Sequence, residues 1–219
     1  MDLHYKMDLT YKTKRGIYLI SPEIILNLNE FKANLKFILK NVNIAYFQLR
    51  LKNITDEEII EIINVIKPIC IKYNTEFILN DNFELAAQYA LDGLHIGQSD
   101  GYLAQIQRKF SGIIGVSCYN DVKRALNVSK FNIQYVSFGA FYKSETKPNA
   151  VNCPISCLVE FKRQSNVSVC AIGGINSSNA EILIKNGADL IALSSAVWNI
   201  QKQRHQVEEL KKILSFFES

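Results

Sequence analysis

The sequence predicts an α/β fold of eight strand–helix units, a (β/α)8 TIM barrel in preference to a doubly wound open sheet. Three observations predict it. From Gly16 onward, short apolar and often β-branched runs alternate with longer segments of helical spacing. The runs are apolar on both faces, as in parallel strands covered by helices. Eight such pairs fill the 219 residues, which leaves only short connections.

The first run, Ile17–Ser21, leads to a helix over Asn29–Asn41. The second, Ala45–Leu49, leads to a helix over Asp56–Tyr73. Thr55 and Glu58 stand there three residues apart, as in a capping box. Glu76–Asn80 precedes a helix over Asn82–Leu91, and Gly93–Ile96 one over Gly101–Phe110. Ile113–Ser117 precedes Asn120–Val128, and Tyr135–Gly139 precedes Ile155–Gln164. Val169–Ile172 leads to a helix over Ser177–Asn186, opened by Asn176 and Ser177 and stopped by Gly187. Leu190–Leu193 leads to the last helix, over Ala196–Phe217. No Pro-, Gly- or Ser-rich linker and no shift of composition interrupts residues 16–219, which are expected to form one domain. Residues 1–15 form an N-terminal extension, in which Met1–Lys6 and Met7–Lys12 are near-copies.

Composition removes several classes. With 48% hydrophobic and 21% charged residues, the chain is too apolar to remain disordered. The net charge of +4 comes from Lys and Arg spread along the chain; the densest cluster, Lys12, Lys14 and Arg15, is not interleaved with stacking aromatics. Neither a nucleic-acid nor a membrane partner is expected, and association into a homo-oligomer is left open. The five cysteines (70, 118, 153, 157 and 170) are odd in number and lack zinc-site spacing, so they read as free thiols of a reducing compartment. Without an apolar N-terminal run or a membrane-length stretch, the expected location is the cytoplasm. No G-x-S-x-G elbow, P-loop or G-x-G-x-x-G is present, which disfavours hydrolase, NTPase and dinucleotide readings.

In a barrel the chemistry collects at the C-terminal ends of the strands. The second strand ends Gln48-Leu49-Arg50-Leu51-Lys52, and alternation turns an amide and two cations the same way if the strand stays regular. Such a set suits a polyphosphate or a carboxylate; a solvated strand end is the competing reading. Asp81 and Asp100 close the third and fourth strands, where a pair of carboxylates can hold Mg²⁺. The loop after the sixth strand carries Ser144, Thr146 and Lys147, which suit phosphate oxygens. The seventh strand ends in Gly173-Gly174 and the eighth in Ser194-Ser195, each expected to open a helix and so to favour a phosphate. His95 and Cys118 read as packed interior groups.

Taken together, Gln48–Lys52, Asn80-Asp81, Gly93–Asp100, Ile114–Ser117, Phe138–Pro148, Ala171–Ile175 and Ser194–Val197 resemble the thiamine-phosphate synthase family over roughly residues 16–200. That resemblance implies a (β/α)8 barrel and a Mg²⁺-dependent condensation of a hydroxymethylpyrimidine diphosphate with a thiazole phosphate. It implies Mg²⁺ on Asp81 and Asp100. Gln48, Arg50, Lys52 and Asn80 would line the pyrimidine diphosphate, with Ser117 near the pyrimidine. Ser144, Thr146 and Lys147 would contact pyrophosphate and thiazole, and Gly174, Ser194 and Ser195 the thiazole phosphate. Arg50, Lys52 and Lys147 would be the catalytic cations. The chain departs from the family at Leu51, where Glu is usual, at Asn82, where Arg is usual, and at Cys118-Tyr119, where a small residue and His are common. Two other readings are a related thiazole tautomerase and a catalytically silent barrel that binds a thiazole phosphate.

Overall fold

A computed structural model describes residues 14–97, 103–143 and 151–218. Among these, eight parallel strands close into a barrel in sequence order. They are β1 (Gly16–Ile20), β2 (Tyr46–Leu49), β3 (Glu76–Asn80), β4 (Gly93–Ile96), β5 (Ile113–Tyr119), β6 (Tyr135–Phe138), β7 (Ser168–Ile172) and β8 (Leu190–Leu193). The helices between them are α1 (Leu28–Asn41), α2 (Asp56–Lys72), α3 (Phe83–Gln88), α4 (Leu103–Lys109), α5 (Val122–Val128), α6 (Ser156–Lys162), α7 (Ala180–Lys185) and α8 (Gln203–Ser215). β8 pairs back onto β1, with Leu193 against Leu19.

Side chains alternate between two apolar layers because successive Cβ atoms point to opposite faces. Ile17, Leu19, Phe47, Phe77, Leu79, Val136 and Ile191 pack outward against the helices. Tyr18, Tyr46, Ile78, Ile113, Tyr135, Cys170 and Leu190 fill the inside. The three tyrosines meet there, with ring centroids 5.4 to 6.0 Å apart. Gly115 makes room for them: a Cβ on it would lie 1.9 Å from Tyr135 Cζ.

The expected capping box is present, with the Thr55 side chain accepting from Glu58 N and the Glu58 side chain accepting from Thr55 N. Gly187 follows α7 at φ +104, a conformation that suits glycine. All five cysteines are buried, with no disulfide between them.

Among the boundaries that differ from expectation, three bear on the site. β5 runs two residues further, to Tyr119, through an irregularity in its register with β6 at Ser117/Tyr119. The helix expected to open at Ser177 opens at Ala180 instead. Asn176 Oδ1 accepts from Ser178 N and Oγ, and Asn179 Oδ1 accepts from Asn176 N. These side-chain bonds offer the backbone an alternative to the helix. The last helix is likewise preceded by two 3-10 turns, Ser195–Val197 and Ile200–Lys202. Here the Trp198 indole donates to Ile20 O at 2.7 Å and pins the segment to β1, while Asn199 caps the second turn. So neither Gly173-Gly174 nor Ser194-Ser195 opens directly onto an α-helix.

Residues 1–13 of the expected extension lie outside the described residues. Lys14 already belongs to the barrel floor. Its N–H donates to Tyr46 Oη, and its ammonium sits 3.0 Å from Glu76. Among the described residues no helix is long and apolar enough to cross a membrane.

Candidate active site

Four expected site residues, Asp100, Ser144, Thr146 and Lys147, lie outside the described residues. The others line the C-terminal end of the barrel or point into it.

β2 ends at Leu49, so Arg50 and Lys52 stand in the following loop and do not continue a regular strand. They are held by the loop after β1. Ser21 N donates to Gln48 O, Arg50 N donates to Ser21 Oγ, and Lys52 N donates to Glu23 O. Glu23 then brings the two cations together. Arg50 donates to Glu23 Oε1, and Lys52 Nζ lies 3.5 Å from the same oxygen. The Arg50 hydrogen bond holds the Glu23 carboxyl below its ordinary range, with help from the charge of Lys52. Two cations and one carboxylate leave a net positive cluster. Leu51, at a departure from the family, packs against the outer apolar layer.

Asp81 sits at φ +63 at the end of β3. Its N–H donates to His95 O, Oδ1 accepts from Gly97 N at 3.1 Å, and Oδ2 accepts from Asn80 Nδ2 at 2.7 Å. Each oxygen thus keeps acceptor capacity, and the residue is exposed. An exposed carboxylate with spare lone pairs fits a hard, oxygen-loving cation such as Mg²⁺. Asn82, at another departure, caps α3 through Leu85 N and donates to Asp56 of α2. The residue after Asp81 is therefore anchored without an arginine.

On the other side, the loops after β6 and β7 close on each other. Phe141 N donates to Ile172 O and Tyr142 N to Gly173 O. Gly174 lies at φ +63, and a Cβ there would stand 2.5 Å from Lys143 O. Asn179 Nδ2 donates to Gly174 O. Lys143, the last described residue before the segment that carries Ser144, Thr146 and Lys147, therefore lies beside Gly174. Ser194 is half-buried and Ser195 exposed at the end of β8.

The barrel interior beneath this rim is polar in one layer. Gln48, 2% exposed, donates from Nε2 to Tyr18 Oη. Ser117 Oγ lies 2.9 Å from His95 Nε2. His95 is buried as expected, but both ring nitrogens are hydrogen-bonded, Nδ1 to Tyr135 Oη at 3.0 Å. Burial, and then the charge of Arg50, pushes its pKa down to about 4, so the ring is neutral at neutral pH. Burial pushes Tyr18 and Tyr135 well above the usual phenol range. Arg124 ties this layer to the next loop, with Nε donating to Ser117 O and a terminal nitrogen to Gly97 O.

The sequence reading missed Glu23, Arg124, Tyr18 and Tyr135. Strand parity carries a signal for Tyr18, the polar-tipped member of the aliphatic run Ile17–Ile20, whereas Tyr135 stands in a mixed run with Ser137 and Phe138. Glu23 carries none: its partners lie 27 and 29 positions away across a loop contact.

Comparison with known proteins bears on the same segments. Residues 17–197 match the family model described as thiamine monophosphate synthase. A protein of Pelagibacter ubique named thiamine-phosphate synthase is 35% identical over 201 residues, 91% of this chain and 96% of its own length. One of Nitrosomonas eutropha with the same name is 34% identical, covering 90% of this chain and 93% of its own. The solved structure of a thiamine phosphate pyrophosphorylase from Pyrococcus furiosus superposes with a TM-score of 0.81 at 26% identity, over 94% of this chain and 98% of that one.

Proposed function

The chain belongs to the thiamine monophosphate synthase family, and from that premise we propose that it condenses a 4-amino-2-methyl-5-hydroxymethylpyrimidine diphosphate with a thiazole phosphate, giving thiamine phosphate and pyrophosphate. The observation that carries this reading is the rim of the barrel. Arg50 and Lys52 converge on one carboxylate oxygen, an arrangement equally suited to an oxygen of a diphosphate.

The chemistry asked of the protein is modest. The C–O bond to the diphosphate breaks, and its electron pair leaves with the pyrophosphate. The lone pair of the thiazole nitrogen then forms the new C–N bond to the pyrimidine methylene. No protein nucleophile is required, and the buried thiols, Cys170 and Cys70 among them, are held protonated by burial. Negative charge grows on the departing diphosphate; Arg50 and Lys52, already in place, stabilise it, and Lys147 would add a third cation. Gln48 and Ser117 orient the pyrimidine, while Gly174, Ser194 and Ser195 hold the thiazole phosphate so that its nitrogen faces the methylene. Mg²⁺ would be held by Asp81 and Asp100, and when bound it supplies further charge for the diphosphate oxygens. A cytoplasmic location is part of the proposal, supported by five cysteines with no disulfide between them.

Neither the tautomerase nor the silent barrel is favoured by a specific observation. The family's strand 5 histidine position holds Tyr119, which stands 45% exposed at φ +56.

Wild-type and Asp81→Ala proteins incubated with both substrates and Mg²⁺ test the reading. Chromatography should show thiamine phosphate from the wild type and a loss of about 100-fold or more in the variant. Wild-type protein that binds thiazole phosphate but makes no product would refute the synthase reading. Equal Mg²⁺-dependent rates for the two proteins would remove Asp81 from the metal site.

A further inference from the structure

Five side chains from five strands form an unbroken file across the barrel interior. Gln48 Nε2 is 3.0 Å from Tyr18 Oη, which is 2.8 Å from Tyr135 Oη. Tyr135 Oη is 3.0 Å from His95 Nδ1, and His95 Nε2 is 2.9 Å from Ser117 Oγ. The three middle members and Gln48 are all buried, so an unmatched donor or acceptor among them is costly.

Four links need four protons, and the donor inventory is tight. A phenol has one proton to give, and a neutral imidazole has one donor and one acceptor. Only two assignments satisfy every link and also use both phenol protons. In one, all protons point from Gln48 towards Ser117, and His95 carries its proton on Nε2. In the other, all point from Ser117 towards Gln48, and the proton is on Nδ1. A mixture in which one phenol accepts from both neighbours leaves that phenol's own buried proton outside the file, which is costly. The Gln48 amide presents its nitrogen to Tyr18, which selects the first assignment.

That choice fixes the two ends. Gln48 keeps its amide oxygen as an acceptor; the side-chain hydrogen bond of Gln48 to Tyr18 engages its nitrogen alone. Ser117 accepts from His95 and keeps its own hydroxyl proton to donate. A pyrimidine with an exocyclic amine offers the complement, an N–H donor for Gln48 and a ring nitrogen for Ser117. An oxopyrimidine puts a carbonyl against the Gln48 oxygen, and accommodating it requires the whole file to reverse.

We propose that Tyr18, Tyr135 and His95 are positioning residues that lock Gln48 and Ser117 in opposite hydrogen-bonding polarity, and that this file makes the site select an aminopyrimidine diphosphate over its oxo counterpart. The inference rests on the synthase reading for its ligand, but the polarity of the file stands apart from it. The amine becomes a stronger donor as positive charge develops on the pyrimidine, so the fixed Gln48 acceptor also favours bond breaking.

The test has two arms. ¹⁵N NMR of the wild-type protein without substrate should show the His95 ring as the Nε2–H tautomer, with the signal assigned by its loss in His95→Gln. Kinetics should show a preference for the amino over the oxo substrate of about 100-fold or more in kcat/KM. Tyr135→Phe, which cuts the file at its centre, should reduce that preference about tenfold, mix the tautomers and leave the KM for thiazole phosphate unchanged. Tyr18→Phe cuts the next link and serves if Tyr135→Phe does not fold. An Nδ1–H tautomer in the wild type, or an unchanged preference in a folded variant, overturns the proposal. If wild-type protein consumes neither pyrimidine, the synthase reading fails and the specificity claim with it, while the tautomer still decides the polarity of the file.

Discussion

Glu23 shares Arg50 and Lys52, so a diphosphate arriving at the proposed anion site would compete with a carboxylate already in place. Replacing it by Gln removes that competition and keeps the shape. Glu23→Gln should tighten inorganic pyrophosphate about five- to tenfold at low salt, with the gain shrinking as ionic strength rises. Titration calorimetry at two salt concentrations reads this, and equal affinities at low salt would contradict it. His95 sets a second expectation. Its pKa falls from an ordinary 6.5 to about 4 on folding. The unfolded chain thus binds the proton more readily, and the neutral ring's contribution is fully present above pH 6.5 and lost as pH falls towards 4. That contribution amounts to about 3 kcal/mol. Urea unfolding of wild type should lose up to that much more stability than His95→Gln between pH 7 and 4; parallel profiles would exclude it. At this scale the sequence displays Gln48, Arg50, Lys52 and Asp81 because each ends a recognisable strand. It hides Glu23 and the tyrosine file because their partners are set by loop packing and barrel closure.

Among the elements, the loops after β6 and β7 carry the most consequence for binding. Gly174 combines a positive φ with a Cβ direction blocked by the Lys143 carbonyl, so Gly174→Ala must strain the backbone and part the loops. It should cost about 1–3 kcal/mol of stability and weaken thiazole phosphate at least tenfold by calorimetry, an effect of about 1.4 kcal/mol or more. An unchanged affinity would place the phosphate elsewhere. Thr55→Ala, which breaks the capping box of α2 far from that loop pair, should cost only about 1 kcal/mol and leave affinity alone. Strands and the α2 cap were legible because alternation and capping chemistry are local. The starts of α7 and α8 were not, because Asn176, Asn179 and Trp198 recruit partners that the periodicity does not reveal. The phosphate subsite proposed at these strand ends would therefore rely on loop backbone at Gly173-Gly174 and on a single 3-10 turn at Ser195–Val197.

For the whole molecule, eight strand–helix units in about 200 residues leave short connections, and the barrel closes with β8 on β1 as the unit count required. Closure is what makes a site. It brings Gln48 of β2 and Ser117 of β5 to the two ends of one hydrogen-bonded file, and it sets the Arg50–Lys52 cluster above that file. The barrel count was readable from the sequence, whereas an interior divided between apolar packing and a polar layer was not, because parity alone does not say which inward residues meet. We propose that this rim joins two phosphorylated substrates. ³¹P NMR of the full chain with pyrimidine diphosphate, thiazole phosphate and Mg²⁺ tests it most directly. Pyrophosphate and thiamine phosphate should rise together, one to one, and only when both substrates are present; pyrophosphate released without the thiazole, or no release at all while both substrates bind, would contradict it.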